Sequence, residues 1–312
     1  MIRPSDRTQA AQYVRQVNGL KNGSLPMTGL TSPNRVDVFV AQLIESNRRI
    51  AFVQSIGDPR PVGQLVCTPG HPHFNPLKAA WHTLHNQNDL DEALWLVFLA
   101  THFGKHKAEN WNLPSWVYAG NGTPWSYQRY IHNPQAFETW WQQQYSAGAL
   151  SGFKFSNHRK YESLRPDASR STPEVLTSYV DLIGRNRCFS DLIGDFPPAT
   201  QIDPHALFDE LYTKIRGVTS FGRTAAFDFL TMAGNLGILP IKPGKPYLQG
   251  ATGPLAGAKL LFLNSTQNPA SWSTLEPKVI QLGNALGVSM QTMEDALCNW
   301  QKSPDTFSRF RG

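Results

Sequence analysis

Apolar and polar residues follow one another with a helical period along most of this chain. Val36, Phe39, Val40, Leu43 and Ile44 recur at intervals of three and four, which sets them on one stripe of a helix starting near residue 35 that Asn34 can cap. A second helix is predicted after Asp89, and from 93 to 103 it is apolar nearly all round, as in a helix buried at the centre of a domain. Thr172 before Pro173 and Asp203 before Pro204 each put a capping side chain ahead of a proline suited to a first helical turn, so helices are predicted over 173–185 and 204–216. Further helices are predicted over 224–235, 254–263, 274–286 and 289–300, and the period of two that marks strands is scarce. The pattern defines a mainly α fold.

Seven of the nine tryptophans fall between 81 and 141 among Pro, Gly and Asn, which predicts short helices around an aromatic core; a base-stacking platform is the less common use of such residues. The Gly/Ser/Arg-rich stretch 146–170 is read as a boundary between a Trp-rich N-terminal unit, 1–150, and a C-terminal helical unit, 151–312.

Composition narrows the picture. The three cysteines are an odd number without CxxC spacing, so neither a disulfide framework nor a zinc site is expected and a reducing compartment fits. The longest unbroken apolar run, 93–100, is too short to span a bilayer, and the N-terminus has no apolar signal region, so a cytoplasmic protein without membrane partner is expected. A net charge of +6 favours an anionic partner. Lys154, Arg159, Lys160, Arg165 and Arg170 make a local basic patch opposed only by Glu162 and Asp167.

Four segments carry groups fit for chemistry. In 250–259 the small residues Gly250, Ala251, Gly253, Ala256, Gly257 and Ala258 open an apolar helix. Free N–H groups at such a helix start suit a phosphate, and the same residues equally suit a close helix crossing. Arg223 stands at a predicted helix start with Asp228 about one and a half turns on; it either grips phosphate or simply pairs with Asp228. Asn157, His158, Arg159, Lys160 and Tyr161 surround one imidazole with donors: His158 can move a proton near neutral pH, while Tyr161 or Phe155 can stack on a base. A solvated basic loop touching only backbone phosphate is the alternative. The fourth, Thr101 to Lys107, is the polar exit of the buried helix, in which His102 is a candidate base and Lys105 a substrate contact, or in which Gly104 merely terminates the helix. P-loop, GxSxG, HExxH and zinc-deaminase patterns are absent from the sequence, and nothing in it calls for a metal or cofactor.

Taken together, residues 95–105, 153–162, 221–223 and 250–254 resemble a family found in phages that hypermodify thymine in their DNA, the alpha-glutamyl/putrescinyl-thymine pyrophosphorylases and related amino acid:DNA transferases. The resemblance implies a helical architecture similar to the helix-hairpin-helix DNA glycosylases. It also implies an enzyme that displaces pyrophosphate from 5-pyrophosphoryloxymethyl-uracil in DNA and attaches an amino acid or other amine. On that footing Arg223, Lys160 and Arg159 stabilise the departing pyrophosphate, His158 or His102 takes the amine proton, and Asp228 or Glu162 holds the amine or orients a histidine. Asn157, Tyr161, Lys105, Gly250, Thr252, Gly253 and Lys259 are the implied DNA or substrate contacts. The Gly250-x-x-Gly253 spacing, with Asn264 and Ser265 after the helix, departs from the tighter glycine pair and downstream aspartate of glycosylases, which argues against glycosidic cleavage. A glycosylase or lyase and a non-catalytic DNA-binding protein are the competing readings.

Overall fold

The computed structural model describes residues 2–57, 63–184, 186–193 and 203–309. In chain order the helices are α1 (Arg7–Lys21), α2 (Pro33–Gln54), α3 (Gln64–Cys67), α4 (Pro76–Gln87), α5 (Leu90–Phe103), α6 (Asn112–Ala119), α7 (Tyr127–His132) and α8 (Pro134–Ser146). They continue with α9 (Thr172–Ile183), α10 (Phe189–Leu192), α11 (Pro204–Ile215), α12 (Arg223–Asn235), α13 (Gly253–Leu263), α14 (Trp272–Leu286) and α15 (Met290–Trp300). The protein is mainly helical, and among the described residues extended pairing is limited to the isolated bridges His106–Asn110 and Ser163–Ser171.

Local chemistry sets the helix starts. Asp89 accepts from the Glu92 amide over 2.9 Å at the start of α5, Asp203 from that of His205 over 2.8 Å at α11, and Ser289 from that of Thr292 over 3.0 Å at α15. Two caps differ from the sequence expectation. Ser171, one residue before Thr172, caps α9, so Thr172 joins the first turn and is fully buried. At α2, Ser32 Oγ accepts from the Arg35 amide, and Asn34 instead donates its side chain to the main-chain oxygen of Asp305, because Pro33 already begins the helix.

The chain divides into two compact units. Among the described residues, one comprises 2–52 and 243–309, the other those between 53 and 242. This differs from a division at residue 150: the chain's two ends build one unit together, and the stretch 146–170 lies inside the other. In the first unit Tyr13 and Val17 of α1, Phe39 and Leu43 of α2, Leu261 of α13, Val279 of α14 and Trp300 of α15 share one buried cluster, with Phe39 and Trp300 edge to face at 5.5 Å. Helix α13 crosses α15 closely. A Cβ at Gly257 would overlap the main chain of Leu297, and one at Gly253 would come 2.6 Å from Cys298 Sγ.

The second unit is built around α5. Every residue from Ala93 to Ala100 is at most 4 % exposed, so this helix has no solvent face and is enclosed by neighbours that include α4, α6, α7 and α12. Of the seven tryptophans between 81 and 141, Trp95, Trp125, Trp140 and Trp141 are buried core, while Trp81, Trp111 and Trp116 are partly exposed. Helix α8 packs on α9, and α9 on α11, which draws residues beyond 150 into the same body.

Candidate active site

The C-terminal end of α5 is where the chemistry-bearing segments of the second unit meet. Gly104 ends the helix at φ +68°, and a Cβ there would overlap Ser156 Oγ, so only glycine lets residue 156 approach this closely. The Ser156 amide donates to the Phe103 oxygen over 3.0 Å, and the Ser156 oxygen accepts from the Arg159 amide over 2.9 Å in the 3-10 turn Asn157–Arg159. The glycine at the end of one motif therefore seats the start of the next.

Arg159 then turns inward. It is 8 % exposed; its Nε donates to the main-chain oxygen of His102 over 3.1 Å, Nη1 to that of Ser220 over 3.0 Å, and Nη2 reaches His102 Nδ1 at 3.4 Å and Glu162 Oε1 at 3.6 Å. Its guanidinium carbon lies 5.2 Å from the Phe221 ring centre, and Phe221 stacks on Phe98 of α5 at 4.8 Å. Burial pulls the Arg159 pKa down, while Glu162 and Asp228 oppose the change. The guanidinium stays a cation. One side chain thus links 95–105, 153–162 and 221–223, three of the four stretches singled out in the sequence.

His102 is buried, and desolvation, followed by the Arg159 charge, holds its pKa well below the ordinary value. Since Arg159 can only donate, Nδ1 is the acceptor of the neutral ring, which leaves the proton on Nε2, 3.5 Å from Thr172 Oγ1. His102 is therefore enclosed as a partner of Arg159, not displayed to a substrate. Arg159, expected at the pyrophosphate, is likewise committed to the protein interior.

The alternate residues of the same turn face outward. His158, Lys160 and Tyr161 are exposed, Tyr161 at 80 %, with Lys160 Nζ 5.0 Å from its ring centre. Phe155, the other stacking candidate, is buried against Phe103. Lys105 is exposed just beyond Gly104, and the side chain of Asn157 lies outside the described residues. Arg223 and Asp228 on α12 are partly buried; the Arg223 guanidinium carbon lies 5.1 Å from the Phe227 ring centre, and Asp228 acts electrostatically on Arg159. In the other unit Gly250 is exposed at φ +74°, Thr252 is exposed, Lys259 is partly buried, and α13 starts at Gly253 with no side-chain cap. The close helix crossing is present, and the start of α13 carries no side-chain cap. Among the described residues no three His, Cys, Asp or Glu side chains cluster as metal ligands, and no helix is long and apolar enough to cross a membrane.

Sequence reasoning missed Ser220 and Thr172 as members of this cluster. Ser220 adopts φ +64°, a left-handed position with no signature in a serine, and Thr172 before Pro173 has the local pattern of a cap.

A helical scaffold thus brings a buried arginine with its carboxylate partner and an exposed histidine, lysine and tyrosine to one end of its central helix. The family model for alpha-glutamyl/putrescinyl thymine pyrophosphorylase, clade 3, matches residues 34–312, and the chain belongs to that family. Membership makes it an enzyme acting on modified thymine, with DNA as the implied substrate. Comparisons with curated proteins and with solved structures give no match.

Proposed function

We propose that the protein displaces pyrophosphate from 5-pyrophosphoryloxymethyl-uracil in DNA and joins the exocyclic carbon to the amino group of an amino acid or related amine. The carbon–oxygen bond to pyrophosphate breaks, the leaving group keeps the electron pair, a carbon–nitrogen bond forms, and the amine gives up one proton. The base leaves the stack so that its methylene reaches the end of α5. The observation that carries this reading is the outward set on the 157–162 turn: His158 to accept the proton and Lys160 to meet the phosphate charge, on a turn held by two inward-facing charges. Arg223 and Lys105 extend the positive field, and Asp228 orients the cationic groups around it. Arg159 and His102 act one step back, as positioning residues.

The uncapped start of α13 at Gly250, Thr252 and Gly253, with Lys259 on the helix, serves as a phosphate contact and is the part of the chain on which a helix-hairpin-helix reading rests. The work takes place in the cytoplasm of a phage-infected cell, where such DNA is made. Nucleoside mass spectrometry of 5-pyrophosphoryloxymethyl DNA incubated with protein and pooled amino acids tests the proposal. An amine adduct and free pyrophosphate are expected, with His158→Ala and Arg223→Ala each losing about 100-fold or more in rate. Release of free base would identify a glycosylase instead, and unchanged nucleosides a binding protein.

A further inference from the structure

Two buried polar oxygens near Arg159 have no partner among the described residues: Glu162 Oε2 and Ser220 Oγ are shielded from solvent and make no hydrogen bond there. Both residues flank the same guanidinium, Glu162 through Oε1 at 3.6 Å and Ser220 through its main-chain oxygen at 3.0 Å, and the Glu162 side chain is only 9 % exposed. The arginine is already engaged with His102, so it does not satisfy the free lone pairs. Leaving such oxygens bare in the interior is costly. Ser220 adds local strain by holding φ +64°. A protein that keeps both costs at the meeting point of three functional segments is shaped for something that supplies N–H donors there.

The bare oxygen, more than the charge balance, indicates what kind of donor. Glu162 and Asp228 both act on the buried Arg159, with the exposed Arg170 as the further cation. Two acids and two cations leave no net charge here, so it is the bare Glu162 oxygen, which can only accept, that selects an N–H donor over an oxyanion.

We propose that Glu162 Oε2 and Ser220 Oγ form the subsite that binds and orients the amino group of the incoming amine. The inference rests on the amine-transfer reading of this same site and assigns Glu162, over Asp228, as the residue that holds the nucleophile. Glu162 lies four positions from His158, across the same turn, so the bound nitrogen and the proton acceptor are supplied by one short segment.

Methylamine and glycine, titrated into DNA-free protein and followed by NMR, test the subsite without requiring turnover, with acetate and glycolate as amine-free controls. Wild-type protein is expected to bind both amines and neither control. Glu162→Gln should weaken binding at least 10-fold and Ser220→Ala several-fold, and in transfer assays both should raise KM for the amine more than they lower kcat. Ser220→Gly, which relieves the backbone while removing the hydroxyl, should weaken amine binding even as it stabilises the fold, and it carries the test if Glu162→Gln does not fold. Equal amine binding by wild type and both Ser220 variants, or no amine binding by wild type, overturns the subsite. Transfer activity with an unchanged amine KM in Glu162→Gln and Ser220→Ala would remove the subsite and leave the transfer reading standing. Amine binding without any transfer would do the reverse.

Discussion

The Nε of Arg159 donates to the main-chain oxygen of His102 over 3.1 Å, joining the end of the central helix to a turn 57 residues further along the chain. This bond, with the one to Ser220 and the ion pair with Glu162, makes a charged side chain the keystone of an otherwise aromatic region. Its neighbours in sequence, His158 and Lys160, point to solvent because it points inward.

Arg159→Met removes the cation and leaves Glu162 and two main-chain oxygens unmatched, so a loss of about 3 kcal/mol of stability is expected. Arg159→Lys keeps the charge but not the planar fork, and should recover only part of the loss while leaving the turn misaligned. Urea unfolding of the two variants checks the order. A methionine variant as stable as wild type would show that the arginine does not organise this region.

Gly104→Ala meets two obstacles, a backbone conformation at φ +68° and ψ 168° and an overlap with Ser156 Oγ. The first alone is worth about 1–3 kcal/mol. Gly237→Ala, also at positive φ but with nothing within 4 Å of the new Cβ, shows the cost of a positive φ without an overlap. Thermal melts should place Gly104→Ala below Gly237→Ala.

Glu92, buried on α5, accepts from the Tyr118 hydroxyl and the Tyr127 amide, each over 2.6 Å. Burial pushes its pKa up to about 7, against the pull of those two donors. The folded protein therefore holds a proton that the unfolded chain, with an ordinary carboxyl, releases near pH 4.5. Stability from this group is complete at low pH and falls as pH rises from about 4.5 to 7, by at most about 1.4 kcal/mol per unit. Urea midpoints measured from pH 5 to 8 should show this slope in wild type and a flatter profile in Glu92→Gln.

His102 should stay neutral, because burial and Arg159 both lower its pKa. The sign is opposite to that of Glu92: the contribution is intact above the ordinary histidine range and is lost as pH falls below it, because the unfolded chain takes up a proton that the buried ring does not. NMR of the imidazole carbons between pH 8 and 5.5 should show no titration step at this residue. A step near pH 6.5 would mean that the ring is hydrated.

Tyr161→Ala should leave stability unchanged, since the ring is 80 % exposed, yet weaken binding to single-stranded or base-flipped DNA by about 1–3 kcal/mol if the ring stacks on a base. Tyr161→Phe should bind as wild type does. Fluorescence anisotropy with labelled oligonucleotides separates these outcomes.

Much of the helical skeleton was legible because its signals are local. The all-apolar run of α5, the stripe of α2 and the Asp203–Pro204 start follow from neighbours within one or two turns. Helix α1 was not legible: its buried positions Ala10, Tyr13 and Val17 are few among polar residues, and the face they form has meaning only against α14. The site was legible in part. Its motifs could be picked out, but the direction of each side chain could not, because on a short turn one residue's rotation decides whether its neighbour faces core or water.

What the sequence by itself determined is a mainly helical chain, its principal helix starts, its aromatic core and the segments that carry charge, all properties of composition and short-range period. Tertiary structure alone decided that the two ends of the chain form one unit, that Arg159 and His102 face inward while His158, Lys160 and Tyr161 face outward, and that Ser220 joins them. The reason is physical: a buried charge is tolerated only where partners distant in sequence surround it, and no local pattern records where those partners will be.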